Sequence, residues 1–121
     1  MIQVLVVDDD VAIREMLLSL MEDEGYAAVG VGDGQEALDY LRGADALPQA
    51  ILLDLMMPRL DGWAFYAAQQ ADPALAAIPV IVLSARPDGA QQVARLGQVQ
   101  FLSKPIDLTR LVELLEQVAP A

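Results

Sequence analysis

The chain has 121 residues, with seven cationic side chains against 18 acidic ones and a net charge of −11. That length supports one domain over residues 1–121 with a core of its own, and the charge argues against direct nucleic-acid binding, because phosphate contact needs a cationic surface. Without cysteine or histidine there are no disulfides, thiol nucleophiles, zinc-finger sites or imidazole bases; no run approaches the roughly 18 apolar residues of a membrane span or shows a leader pattern, so a cytoplasmic protein with no membrane contact is expected.

Residues 2–7 (IQVLVV) are β-branched and apolar on both faces, which predicts a buried strand, and they end in Asp8, Asp9 and Asp10. The segment from Val11 to Glu24 carries apolar residues at 13, 16, 17, 20 and 21 with charges opposite, an amphipathic helix that one of the three aspartates should cap. One cap does not use three aspartates, and clustered carboxylates suit a hard cation such as Mg²⁺, so at least one of Asp8 and Asp9 is a candidate metal ligand.

Gly25 should end that helix; Tyr26 to Val31 reads as a second strand, and Gly32-Asp33-Gly34 leads into a helix over Gln35 to Arg42 with no clustered chemistry. Ala50 to Leu53 is a short apolar run of the kind a strand buried on both faces shows, and Asp54 interrupts it where burial should still be nearly complete. A buried carboxylate is costly unless something pairs with it. Pro58 and Gly62 follow, so Asp54 stands where a buried strand ends and a loop enters a helix over 61–71, with Trp63 and Tyr66 as packing residues.

After Pro79 the run VIVL forms a fourth strand ending in Ser84, then a weakly patterned helix from Asp88 to about Gly97. Val99 to Ser103 is the last strand, ending in Lys104-Pro105; Asp107 should cap a final helix with apolar residues at 108, 111, 112, 115 and 118.

Strands alternating with helices five times predict a parallel sheet covered on both faces, a flavodoxin-like (βα)₅ sandwich of order 2-1-3-4-5. Ligands of such sheets bind outside the carboxyl ends of the strands, at the point where strand order reverses. Asp8 and Asp9, Asp54, Ser84 and Lys104 fall at the carboxyl ends of strands one, three, four and five, while strand two contributes nothing. Three carboxylates within ~5 Å repel by roughly 3 kcal/mol per pair at an effective dielectric of ~20, so they need a cation to stay ionised together. Mg²⁺ meets that need and leaves coordination positions for a phosphoryl group. Asp54 is then the candidate nucleophile, with Lys104 and the Ser84 hydroxyl contacting the other phosphoryl oxygens. Lys104 is the only lysine among six arginines, and a compact charge on a flexible stem fits a crowded phosphate site better than a planar fork.

With these residues in place, the chain resembles the response-regulator receiver domain of two-component signalling over essentially its whole length. The matching segments are VLVVDDD with IREML, LLDLMMPRLDGW, VIVLSAR and FLSKP. The resemblance implies Asp54 as phosphoacceptor, Asp9 as a direct Mg²⁺ ligand, Asp8 as a ligand through water and Met56 as a ligand through its backbone carbonyl. It also implies Ser84 and Lys104 as the hydroxyl and lysine of the switch, and Phe101 as the aromatic that swings inward when the hydroxyl moves to the phosphoryl group. The implied partners are a sensor histidine kinase or phosphotransfer protein as donor, with an effector domain or a phosphorylation-dependent homodimer as output. No enzymatic activity is expected beyond the domain's own phosphorylation and dephosphorylation.

The chain departs from the family pattern in three places. Phe101 lacks the hydroxyl of the commoner tyrosine, which should bias the switch toward burial. The Ser84-to-Lys104 interval is shorter than usual, which should shorten or displace the fourth helix. Met56 and Arg86 occupy the positions that tune dephosphorylation, and the apolar Met56 should give a long phosphoryl lifetime. Two other readings compete: a phosphatase or mutase working through an aspartyl phosphate, which needs an acid where Met56 stands, and a receiver-fold interaction module not switched by phosphorylation.

Overall fold

The apolar runs form strands and the amphipathic segments form helices, as their periodicities dictate. The computed structural model describes residues 2–57, 59–85, 89–94 and 99–119. Five parallel strands, β1 (Gln3–Val7), β2 (Ala27–Val31), β3 (Ala50–Asp54), β4 (Val80–Ser84) and β5 (Gln100–Ser103), lie in the order β2-β1-β3-β4-β5. Between and after them run α1 (Val11–Asp23), α2 (Gly34–Gly43), α3 (Gly62–Ala71), α4 (Gly89–Ala94) and α5 (Leu108–Val118). This is the flavodoxin-like α/β order, with strand order reversing between β1 and β3.

Side chains alternate across each strand, and the alternation builds two cores. Leu5, Val7, Ile51, Leu53, Val80 and Val82 pack with Leu38, Leu41, Phe65 and Val93 on the face covered by α2, α3 and α4. Val4, Val6, Ala50, Leu52, Ile81 and Leu83 pack with Leu17, Met21, Leu111, Leu114 and Leu115 on the face covered by α1 and α5. β3 and β4 are buried along their whole length, whereas the edge strands β2 and β5 are half-buried or exposed.

Among the described residues, aspartates begin four helices. Asp10 accepts from the amides of Ala12 and Ile13, Asp33 from Glu36, Asp61 from Ala64 and Asp107 from Arg110. Each satisfies amides that the first helical turn leaves without a partner. Gly25, at φ +88, turns the chain out of α1 as expected. Trp63 and Tyr66 pack against the core, in keeping with a structural role.

Three details differ from the sequence reading, one of them in α5, where Leu108, expected on the apolar stripe, is exposed and Leu114, not expected there, is buried. The apolar stripe of α1 is wider than the core it covers: Leu17 and Met21 are buried, but Met16 is 43% exposed, and Val11 at the helix start is 55% exposed. In α4, Val93 is buried as expected but Ala94 is exposed. The expected ends of that helix, Asp88 and Gly97, and the position of Arg86 lie outside the described residues.

Candidate functional site

The strand alternation that builds the cores also sorts the polar residues at the carboxyl edge. Asp8 follows Val4 and Val6, Asp54 follows Ala50 and Leu52, and Lys104 follows Leu102, all on the α1/α5 face. Ladder-like bonds carry this order past the strand ends: the Asp8 amide donates to the Val31 carbonyl at 3.2 Å, and the Lys104 amide to the Ser84 carbonyl at 2.8 Å. Ser84 follows Val80 and Val82 and so belongs to the other face, as does Phe101, which pairs with Val82 in register and packs half-buried on that core.

Asp8, Asp9 and Asp54 each bring a carboxylate oxygen within 4.8 Å of the others. Asp8 and Asp54 are buried and Asp9 is exposed. The Lys104 ammonium lies 3.2 Å from Asp8 Oδ2 and 3.5 Å from Asp54 Oδ2, so it bridges the two buried carboxylates. Their remaining oxygens accept backbone amides, Asp8 Oδ1 from Asp10 at 2.9 Å and Asp54 Oδ1 from Met56 at 3.2 Å. The partners of Asp54 are therefore a cation and the amide of the loop that follows it.

One cation does not balance three anions in this setting. At an effective dielectric of ~20, three carboxylate pairs near 4.8 Å repel by roughly 10 kcal/mol in total, and two ammonium contacts near 3.5 Å return about the same. The cost of taking Asp54 out of water is then left over. Burial accordingly pushes the Asp54 carboxyl up to about 6; the neighbouring Asp8 charge adds to the rise, and the Met56 amide and Lys104 oppose it. A site with surplus negative charge, three hard oxygen donors and one exposed donor for entry fits a divalent cation such as Mg²⁺, and these residues could hold one.

Two arginines hold segments next to the cluster, one at the end of β1 and one in the loop after β3, and sequence does not single out either. Arg14, on α1, donates from Nη1 to the Asp8 carbonyl at 2.8 Å and fixes the end of β1. Gly30 supplies the room, since a Cβ there would meet Arg14 Cγ and Cδ at 3.1 Å. Arg59, between β3 and α3, donates from Nε to Asp33 Oδ2 at 2.7 Å, and its Nη2 also contacts that oxygen. Burial pushes the Asp33 carboxyl up, but the Glu36 amide and the Arg59 guanidinium outweigh it and hold the group below the usual carboxylate range.

The turn after β2 adds nothing to the carboxylate cluster, but it carries an ion pair that the sequence does not signal. Asp33 stays outside the carboxylate cluster yet grips the loop that follows Asp54. An Asp-Gly turn and a lone arginine 26 residues later give no pairing signal in one dimension. Of the residues the sequence singled out, Asp8, Asp9, Asp54 and Lys104 come together. Met56 is tied to them by its amide although the residue is 56% exposed, and Ser84 is fully buried at the end of β4.

Comparison with known proteins agrees with this geometry. Residues 4–116 match the family model described as the response regulator receiver domain. The response regulator MprA of Mycolicibacterium vanbaalenii is 40% identical over 113 residues, which cover 92% of this chain and 47% of that protein. The chain spans about half the length of the curated relatives it matches. Among solved structures, a response regulator receiver protein from Pseudomonas putida is 35% identical with a TM-score of 0.86, covering 96% of each chain. The chemotaxis protein CheY4 of Vibrio cholerae is 30% identical with a TM-score of 0.86, covering 98% of each chain. Among the described residues no helix is long and apolar enough to cross a membrane. The chain belongs to the response regulator receiver domain family, consistent with a place in two-component signalling.

Proposed function

We propose that this domain accepts a phosphoryl group on Asp54 and uses the resulting acyl phosphate to switch an interaction surface. The observation that carries the reading is the convergence of three carboxylates within 4.8 Å with the Lys104 ammonium bridging the two buried ones. Asp9 and Asp54, with Asp8 behind an intervening water and the Met56 carbonyl, are the residues that would hold Mg²⁺. When bound, that ion neutralises charge on the transferring oxygens.

The chain's own residues supply the rest. An Asp54 carboxylate oxygen attacks the phosphorus of a phosphohistidine or small acyl phosphate. The new bond is an Asp54 O–P bond, the bond to the donor nitrogen or oxygen breaks, and the leaving group keeps the electron pair and takes up a proton as its own basicity requires. Lys104 already faces Asp54 and Asp8, and its ammonium offsets charge as it builds on the phosphoryl oxygens. Burial of Asp54 keeps bulk water from the nucleophile and limits hydrolysis of the product. The Met56 side chain carries no polar hydrogen to orient an attacking water, which favours a long phosphoryl lifetime.

Ser84 and Phe101 belong to the opposite sheet face from the carboxylates. A hydroxyl drawn from the end of β4 toward the phosphoryl group would alter packing beside Phe101, so chemistry on one face is relayed to the α4–β5 side. For the donor, Ile13, Met16, Pro105, Ile106 and Leu108 line an apolar hollow of about 290 Å³ beside Lys104, a surface suited to an apolar helix of the partner kinase. Output passes to an effector domain or to a second copy of the chain, in the cytoplasm, and this domain itself makes no contact with nucleic acid.

The test is the intact mass after incubation with a small acyl phosphate. Wild type with Mg²⁺ should gain one phosphoryl group, while protein in chelator and Asp54→Ala should gain none. Wild type that gains nothing from acyl phosphate or from a panel of phosphorylated kinases would reduce the domain to an unswitched interaction module.

A further inference from the structure

The loop between β3 and α3 is held at both ends by contacts only glycine permits. At the inner end the Gly62 amide donates to the Leu55 carbonyl at 3.0 Å, and a Cβ on Gly62 would lie 2.6 Å from the Asp54 carbonyl oxygen. At the outer end the Gly34 amide donates to the Leu60 carbonyl at 2.9 Å, and a Cβ on Gly34 would lie 2.5 Å from that oxygen. Between these pins Arg59 stands at φ +60, a left-handed conformation that side chains other than Gly and Asn rarely adopt. A strained residue persists only where its surroundings hold it. Here the holder is the Asp33 carboxylate, buried and already fixed by the Glu36 amide at 2.8 Å, which accepts from Arg59 Nε at 2.7 Å.

We propose that Asp33 is a positioning residue for the phosphoacceptor site: through Arg59 it sets the β3–α3 loop and with it the Met56 peptide beside Asp54. The inference rests on the function proposed above, because it assigns Met56 to the metal. The Arg59 side chain is 62% exposed, and an ion pair with one solvated partner adds little to global stability. The consequence of the tether is therefore the placement of the loop, which metal affinity reads directly and unfolding does not. Helix capping can be separated from tethering as well, since Asn at position 33 caps as well as Asp but lacks the charge that holds the guanidinium.

The experiment is calorimetric titration of Mg²⁺ into wild type, Asp33→Asn, Arg59→Gly and the double variant, with a urea midpoint for each. Each single variant should bind Mg²⁺ about tenfold more weakly. The double variant should bind no more weakly than either single one; the urea midpoint of Asp33→Asn should stay close to that of wild type, and those of the two variants with Gly at position 59 should not fall, because glycine relieves the left-handed strain. Arg59→Lys, which keeps the charge but loses the fork, should fall between wild type and Arg59→Gly. Wild-type affinity in both single variants, or losses that multiply in the double variant, would overturn the positioning role while leaving Asp54 as phosphoacceptor intact. Wild-type protein that binds no Mg²⁺ and gains no phosphoryl mass would overturn the functional reading together with this inference.

Discussion

The two ends of the sheet are built from the same strands and solve opposite problems. At the amino end the chain closes on itself: Gln69, fully buried on α3, donates from Nε2 to the carbonyls of Leu75 and Ile78 at 3.0 Å each and so ties the turn that precedes β4. At the carboxyl end two buried carboxylates face each other with one ammonium between them, and the charge does not balance. A neutral amide fixing backbone is a structural device, whereas uncompensated buried charge invites a ligand from outside. The functional end of this fold is marked less by its shape than by its deficit of positive charge.

Substitutions should separate the two ends, beginning with the largest effect. Lys104→Ala removes the cation placed to meet charge on the phosphoryl oxygens, and the rate of phosphorylation by a small acyl phosphate, followed by mass against time, should fall about 100-fold. At the other end, Gln69→Ala takes the donor from the buried Ile78 carbonyl and leaves the Leu75 carbonyl with the Ile78 amide alone. It should lower unfolding free energy by about 2 kcal/mol in urea titrations while phosphorylation of the folded protein proceeds at the wild-type rate.

A smaller effect, of opposite sign, is expected at Asp54. Its carboxyl is raised from 3.8 to about 6 in the folded chain, so the native state binds its proton more tightly than the unfolded state. That contribution to stability is complete below about pH 4 and is lost as pH rises through about 6. In metal-free protein at pH 7.5, Asp54→Asn should therefore raise unfolding free energy by about 1 kcal/mol, the cost of burying the asparagine amide offsetting part of the gain. The increase should vanish near pH 4. Smallest of all, Met16→Gln on the exposed stripe of α1 should move stability by less than about 0.5 kcal/mol, yet it should slow phosphotransfer from the partner kinase more than transfer from acyl phosphate.

Much of this contrast is legible in sequence because its signals are local. An unbroken apolar run announces a strand buried on both faces, and an aspartate inside it, as at Asp54, announces a buried charge in need of a partner. Three successive aspartates after β1 divide as their chemistry requires: Asp10 caps α1, and Asp8 and Asp9 approach Asp54. Lys104 stands out because the chain otherwise uses arginine.

What sequence conceals is pairing over distance. Arg14 reads as one more charge on the solvent face of a helix, until Gly30 on β2 opens the space through which it reaches Asp8. Asp33 and Arg59 each read as ordinary turn residues, and only the fold lays one loop against the other. Met16 shows the converse, since periodicity marks it as core but α1 is wider than the sheet it covers. Strand parity adds a last distinction: Ser84 and Phe101 lie on the opposite face from Asp8, Asp54 and Lys104, which separates the residues of the transfer from those of the proposed switch.

The most direct test of the account is the position of the acyl phosphate itself. Reduction of the phosphorylated protein with borohydride converts an aspartyl phosphate to homoserine, which peptide mapping locates. The account predicts homoserine at position 54 alone, formed only when Mg²⁺ was present during phosphorylation. Homoserine at Asp8 or Asp9, or equal labelling in chelator, would contradict it.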